Sequence, residues 1–179
     1  DTRVSGCALQ AALQAGVAAA GVDVNLLGVV PTPAVAYLTH SVRAQAGIMI
    51  SASHNLYQDN GVKFFDKSGM KFSDELEHEI ESYMDKPFNM VTSDSIGVVR
   101  DLVDAKGRYI EFCKSIFPSQ LTLSGFKLVI DCAHGATFLV APKIFHELGA
   151  EVIPMANCPD GYNINDQCGS TDVRALQKK

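Results

Sequence analysis

The sequence predicts an α/β protein made of two tandem three-layer modules with mostly parallel mixed sheets. Short apolar runs typical of buried strands recur along the 179 residues, and segments with helical spacing of apolar residues lie between them. Residues 86–97 lose this periodicity and collect Pro, Asn, Ser and Gly, which indicates a boundary. We therefore expect a first domain at residues 1–98 and a second at residues 99–179.

The first domain is expected to open with a helix that Ser5 caps and Gly21 ends, because Leu9, Leu13 and Val17 recur at helical spacing. Apolar runs and turn signals then predict a strand at 24–30, a helix at 34–42 and strands at 47–50 and 62–65. A strand, a helix and a second strand form a βαβ unit. The strands at 24–30 and 47–50 should therefore be parallel.

An acidic helix should close the first domain, with Asp74 and Glu77 as its capping box and Leu76 and Ile80 on its inner face. The second domain repeats the alternation of helix and strand. Its expected elements are a helix that Asp101 starts, a strand at 127–132, a helix at 137–148, a strand at 151–155 and a helix beginning at residue 172. These elements form a second βαβ unit.

The composition excludes several classes of function. A net charge of −5 is inconsistent with the basic face that nucleic acid or an anionic membrane requires. No apolar run approaches the ~20 residues of a membrane-spanning helix. The five cysteines form no C-x-x-C pair, which favours reduced thiols in a cytoplasmic enzyme rather than a disulfide framework or a zinc site. Small, electrically mixed partners fit this composition.

The most informative stretch, residues 47–60, reads GIMISASHNLYQDN. An apolar strand ends there in a cluster of hydroxyls, imidazole and amides, and ligands of open α/β sheets bind beyond such strand ends. A plain turn is one interpretation. Acyl transfer fits poorly, because the loop is not a G-x-S-x-G elbow. Phosphoryl transfer is a further interpretation, in which Ser53 is the nucleophile, His54 and the Asn55 amide hold charge and Lys63 is the acid/base group.

Two later stretches carry weaker signals. In DCAHGAT, His134 follows a predicted strand and could line a ligand crevice, although a hydrogen-bonded loop histidine explains it equally well. Residues 158–172 read CPDGYNINDQCGSTD and are rich in turn formers whose polar groups can simply satisfy the backbone. Cys158 and Cys168 need not pair. No G-x-x-x-x-G-K-[ST] phosphate loop is present.

Several stretches taken together resemble one family. They are DTRVSG, GIMISASHN, DNGVKFF, GMKF, DCAHGATFLVAPKIFHELGAEVI, PDGYNIN and CGSTDVRALQ. In this order, along nearly the whole chain, they are similar to the bacterial phosphoglucosamine mutases of the α-D-phosphohexomutase superfamily. On this resemblance the first domain lacks the family's first strand, and the second domain is truncated.

The resemblance implies an enzyme that interconverts glucosamine 6-phosphate and glucosamine 1-phosphate through a phosphoserine and glucosamine 1,6-bisphosphate. It places the phosphoserine at Ser53, with Mg²⁺ bound through its phosphate and the remaining metal ligands beyond the chain. By the same match, His54 assists at the phosphoryl site, Lys63 is the general acid/base and Arg3 is a nearby charge partner. The expectation of no nucleic-acid or membrane partner rests on the net charge, and the resemblance admits a homodimer.

Three departures and two alternatives accompany the resemblance. Leu56 stands where the family usually has proline, the family's first strand is absent, and its metal, sugar and C-terminal phosphate loops would all lie after Lys179. We therefore expect the chain alone to be inactive. A phosphomannomutase or phosphoglucomutase is the alternative within the same enzyme class. A non-catalytic α/β fragment is the alternative outside it.

Overall fold

The computed structural model describes all residues, 1–179, in five α-helices, one 3₁₀ helix and six strands. The helices are α1 (Ser5–Ala19), α2 (Thr32–Ser41), α3 (Asp74–Tyr83), α4 (Ala105–Ile116), α5 (Val140–Glu147) and a 3₁₀ helix (Leu176–Lys178). The strands are β1 (Val24–Leu26), β2 (Ala46–Ile50), β3 (Val62–Asp66), β4 (Val99–Asp101), β5 (Lys127–Asp131) and β6 (Glu151–Met155). The fold is therefore α/β, as the sequence predicts.

The strands form three two-stranded sheets. β1 pairs with β4 in parallel, β5 pairs with β6 in parallel, and β2 pairs with β3 in antiparallel orientation. The predicted βαβ unit of β1 and β2 is therefore wrong as a pairing, because the two strands belong to different sheets. The chain after β2 returns directly through residues 51–61, and such a short connection can only join antiparallel strands.

The first core lies where α2 packs on β2 and β3. It contains Val30, Ala34, Val35, Met49 and Phe65, all less than a tenth exposed. α2 starts in a Pro-Thr-Pro sequence, and proline is well tolerated in the first helical turn because its missing N–H would be unpaired there. This packing fixes the end of β2 from which the serine-rich loop leaves.

Contacts between α2 and α4 connect the two halves of the chain. Tyr37 of α2 stacks on Phe112 of α4, with ring centroids 3.9 Å apart and an interplanar angle of 16°. Lys114 of α4 in turn forms an ion pair of 2.5 Å with Glu147 of α5. β4, which follows the proposed boundary at residue 98, pairs with β1. The division at residue 98 stays a proposal, since elements on both of its sides share a sheet.

Several predicted helix starts are corrected by the structure. Val4 and not Ser5 is the N-cap of α1, and the Ser5 hydroxyl instead accepts a hydrogen bond from Asn60 Nδ2 at 3.0 Å. Ser73 caps α3 one residue before the predicted box, and its Oγ accepts from Leu76 N. Asp101 does not start α4, because Asp101 is the last residue of β4 and α4 begins at Ala105.

Three element lengths also differ from prediction. β1 ends at Leu26, since Gly28 turns the chain with a φ of +67°. α5 begins at Val140 rather than at residue 137, after turns that follow the left-handed His134. The final helix is only the 3₁₀ segment at Leu176–Lys178. The predicted inner face of α3 is not buried, because that helix contains no buried residue.

None of the helices combines the length and the apolar character needed to cross a membrane. All five cysteines are free thiols, and Cys132 and Cys168 are the buried ones.

Candidate functional site

The serine-rich loop at residues 51–61 leaves β2 and re-enters at β3. Its ends are joined by a hydrogen bond of 2.9 Å from Ser51 N to Gly61 O. Asn60 Oδ1 accepts from Gly61 N at 2.9 Å. Residues between these ends are mostly exposed. The loop is thus held at its base and presents its middle to solvent.

Ser51 and Ser53 have different surroundings within this loop. Ser51 is 7% exposed, and its Oγ accepts a hydrogen bond of 3.1 Å from Ser53 N. Ser53 is exposed, and its Oγ makes no hydrogen bond within the chain. Its φ of +54° lies in the left-handed region, which costs a non-glycine residue on the order of 1 kcal/mol or more. Surrounding contacts must hold Ser53 in that conformation.

Arg3 provides one set of these contacts. Its Nη2 donates to Ser53 O at 3.1 Å and to Asn55 O at 2.6 Å, and its Nε donates to Leu56 O at 3.4 Å. The side chain is fully buried and is paired with the Asp1 carboxylate. Burial lowers the pKa of Arg3 from its ordinary value, although a guanidinium remains charged at neutral pH. Arg3 therefore lies against the loop backbone as a buried positive charge.

Asn165 provides the second set of contacts and comes from the distant segment 158–169. Its Nδ2 donates to Ser53 O at 3.1 Å and to Asn55 O at 2.9 Å. Tyr162 of the same segment packs edge to face on Tyr57, with ring centroids 5.2 Å apart. The sequence interpretation missed Asn165, because nothing in the pattern distinguishes it from Asn163, whose side chain closes its own turn.

Lys63 and His54 were the two other residues that the sequence singled out. Lys63 lies in β3 opposite Met49, so both side chains are on the face that carries buried Phe65. It is half-buried and forms no ion pair. His54 is exposed beside Ser53 and makes no hydrogen bond within the chain. The structure brings Ser53, His54 and Arg3 into one loop region, with Lys63 in the strand that follows it.

The residues of this chain do not fit a magnesium site on their own. No group of three or more His, Cys, Asp or Glu side chains could hold a metal ion. Near the loop, Asp59 is the acceptor of a hydrogen bond of 3.0 Å from Asn55 Nδ2. A phosphate on Ser53 would supply oxygen ligands of the kind Mg²⁺ prefers, but no carboxylate cluster accompanies it.

His134 is engaged in hydrogen bonds with other parts of the chain through both its ring and its carbonyl group. Its Nδ1 accepts from Cys158 N at 3.2 Å, which leaves the proton of the neutral ring on Nε2. Its carbonyl oxygen accepts from Thr2 Oγ1 at 2.7 Å. Of the two readings of this residue, the hydrogen-bonded loop histidine therefore accounts for its contacts.

The α/β fold thus presents an exposed, left-handed serine beyond the end of a strand, next to a buried arginine. Residues 1–90 match the family model described as phosphoglucomutase/phosphomannomutase, alpha/beta/alpha domain I. The chain belongs to this family.

Similar proteins agree with this assignment. The chain is 62% identical over 178 residues to a protein of Coxiella burnetii (strain RSA 331 / Henzerling II) named phosphoglucosamine mutase, and 60% identical to one of Burkholderia mallei (strain SAVP1) with the same name. These matches cover 99% of this chain but only 40% and 39% of the relatives. The chain thus spans about two fifths of the length of the curated relatives it matches.

A solved structure is also similar. It is a phosphoglucomutase/phosphomannomutase family protein from Burkholderia thailandensis, with a TM-score of 0.73 and 27% sequence identity. The match covers 89% of this chain and 35% of that one.

Proposed function

We propose that this chain carries the phosphoryl-transfer serine of a phosphoglucosamine mutase, which interconverts glucosamine 6-phosphate and glucosamine 1-phosphate. The observation that carries the proposal is the exposed, left-handed Ser53, whose carbonyl is anchored by buried Arg3. The names of the relatives that are 60% and 62% identical support the choice of sugar.

The proposed chemistry moves one phosphoryl group at a time. With Ser53 phosphorylated, a hydroxyl oxygen of the sugar phosphate forms a bond to phosphorus as the bond from phosphorus to Ser53 Oγ breaks. The hydroxyl proton leaves the sugar, and a proton is supplied to Ser53 Oγ. The product is glucosamine 1,6-bisphosphate. After it reorients, Ser53 Oγ forms a bond to the phosphorus of the other phosphate as the bond from that phosphorus to the sugar oxygen breaks. The Ser53 hydroxyl loses its proton, the sugar oxygen gains one, and Ser53 is phosphorylated again.

Three side chains have proposed roles in this exchange. Lys63 is the proposed group that takes and returns the proton, because the residue is half-buried and its amine forms no ion pair with a carboxylate. His54, adjacent to Ser53, can donate to the phosphoryl oxygens. Arg3 is the proposed charge partner beneath the loop, where its guanidinium is paired with the Asp1 carboxylate and donates to Ser53 O. Mg²⁺ is proposed as the counter-ion of the phosphoserine, but this chain offers no ligand set for it, so no step is assigned to the metal.

A second candidate function is a phosphomannomutase or phosphoglucomutase. The name of the matching family model and the description of the similar solved structure favour it. The chemistry at Ser53 would be the same, and only the sugar would differ. A non-catalytic α/β unit is the third candidate, and it predicts no phosphate on Ser53 at all.

The test uses the complete polypeptide that the gene encodes, with Mg²⁺ and a sugar bisphosphate primer. Glucosamine 6-phosphate, mannose 6-phosphate and glucose 6-phosphate are offered separately, and the 1-phosphate product and the phosphate on Ser53 are measured. We expect the highest kcat/KM with the glucosamine substrate. A preference for mannose or glucose would support the second candidate, and an unphosphorylated, inactive protein would overturn both enzymes.

We also propose a cytoplasmic location, which the five free cysteines support. Light scattering of the complete polypeptide tests the homodimer that the resemblance admits.

A further inference from the structure

We propose that Asn165 is a positioning residue that holds Ser53 for phosphoryl transfer, an inference that rests on the proposed function. Its Nδ2 donates to the carbonyl oxygens of Ser53 and Asn55 at 3.1 Å and 2.9 Å. Arg3 Nη2 donates to the same two oxygens at 3.1 Å and 2.6 Å. Two donors from different parts of the chain thus bridge the same pair of peptide groups.

Asn165 is itself held firmly. It adopts a φ of +59°, a conformation that asparagine tolerates better than most residues, and its N–H donates to Ala133 O at 2.9 Å. Asp131, the last residue of β5, accepts from Ala133 N at 2.8 Å and from Gly169 N at 2.7 Å. The backbone of Asn165 is therefore held near the end of β5 in the second half of the chain.

These contacts act on the orientation of the serine side chain. The two carbonyls belong to the peptide groups on either side of His54 and Asn55, and fixing them fixes the backbone that leaves Ser53. If the carbonyls lose a donor, left-handed Ser53 is free to relax toward the ordinary region and to turn its Oγ away. The amide of Asn165 is neutral, unlike the guanidinium of Arg3. Its contribution is therefore geometric, and charge at the phosphate is not altered by removing it.

The decisive variant is Asn165→Gly, because glycine keeps the positive φ and removes only the amide. Gln167→Gly is the matched control, since Gln167 is exposed, has a φ of +53° and forms no hydrogen bond with the serine loop. Both are made in the complete polypeptide. We expect Asn165→Gly to lower kcat by ~10-fold or more, because misplaced reacting groups lose rate rather than binding. The KM for glucosamine 6-phosphate and the rates of the control should stay unchanged.

Amide hydrogen exchange provides a readout independent of activity. Ser53 N–H and Asn55 N–H are bonded within the loop, to Ser51 Oγ and Ala52 O, and should exchange faster in Asn165→Gly while β5 and β6 keep their protection. Unchanged exchange together with unchanged kcat would overturn the role of Asn165. A raised KM with an unchanged kcat would also overturn it, because it would indicate substrate binding. An inactive wild-type protein in which the variant still loosens the loop would instead show that the proposed function has failed.

Discussion

At the scale of single residues, Ser51 and Ser53 differ in what their hydroxyls can do. The Ser51 hydroxyl is buried and accepts from Ser53 N, whereas the Ser53 hydroxyl is exposed and unengaged. We predict that phosphate is found on Ser53 and that Ser53→Ala abolishes both its incorporation and turnover. Ser51→Ala should keep the phosphate on Ser53. Phosphopeptide mapping checks this, and phosphate on Ser51, or full activity of Ser53→Ala, would contradict it.

A second prediction concerns Lys63. Replacing it by Met should lower turnover by ~10²-fold or more, the typical loss for a general acid/base. Stability should not fall, because Met would join the face of β3 that carries buried Phe65 and lies opposite Met49. Turnover and thermal unfolding are measured side by side. Lys67→Met, at an exposed turn position, is the control. Wild-type turnover in Lys63→Met would remove this lysine from the mechanism.

The raised pKa of Cys132 gives a prediction about which cysteines react with a thiol reagent. Burial, with a smaller effect of the nearby Asp131 carboxylate, raises the pKa of Cys132 to about 11. A thiol with that pKa is ionised to only ~10⁻³ at about pH 8, and the thiolate is the reactive form. Iodoacetamide should therefore label exposed Cys7 and Cys158 and spare Cys132 until the protein unfolds. Mass spectrometry of the folded protein checks this, and early labelling of Cys132 would show that its site is open.

The candidate site could be predicted only in part from the sequence. Ser53, His54 and Lys63 are singled out by one short stretch, where the chemistry that each side chain offers is visible in its type. The partners of the loop are not visible in this way. Asn165 lies 112 positions from Ser53, and its side chain acts on carbonyl groups that every residue possesses. Such a contact depends on tertiary structure, and no local pattern encodes it.

At the scale of elements, the distinction between local sequence patterns and contacts between distant segments explains which parts of the fold were predicted. Helices and strands such as α2, β2, β3 and β6 follow from apolar spacing and turn residues within about ten positions. The pairing of β1 was wrong, since its partner β4 lies after two helices and two other strands. Strand pairing is decided by packing between distant segments, and the stacking of Tyr37 in α2 on Phe112 in α4 joins the same two parts of the chain.

The contact between α2 and β2 gives a prediction about stability. A Cβ on buried Gly47 would lie 2.1 Å from Thr39 Oγ1, which is itself bonded to Val35 O at 2.8 Å. We predict that Gly47→Ala lowers the free energy of unfolding by about 1–3 kcal/mol through overpacking. Gly16→Ala in α1 is the control, because a Cβ there meets nothing within 4 Å and helical alanine should stabilise by about 0.5–1 kcal/mol. Denaturant unfolding measures both, and equal values would contradict the close packing.

At the scale of the whole molecule, the serine loop lies at a junction between the two halves. Arg3 comes from the start of the chain and Asn165 from near its end, and both donate to the same loop carbonyls. Tyr162 on Tyr57 adds an aromatic contact across the same junction. The conformation of Ser53 therefore depends on how the halves pack. A substitution that loosens that packing should therefore change the rate of phosphoryl transfer even though it does not replace Ser53.

The last prediction concerns the 179-residue chain by itself, which we expect not to interconvert glucosamine phosphates at a measurable rate. Phosphoryl transfer depends on positioning and on neutralising the charge of the phosphoryl group. This chain positions Ser53 and supplies Arg3, but no cluster of three ligating side chains is available for a cation. The chain also corresponds to only about two fifths of the length of its curated relatives.

The measurement is a coupled assay with glucosamine 6-phosphate, Mg²⁺ and a sugar bisphosphate primer, run at equal concentrations of the chain and of a complete relative. Phosphate on Ser53 is quantified in the same samples, so that a missing half-reaction can be separated from missing turnover. Turnover by the chain at a rate near that of the relative would contradict the prediction. It would mean that the cation is held by side chains which here only satisfy the backbone, such as Asp131.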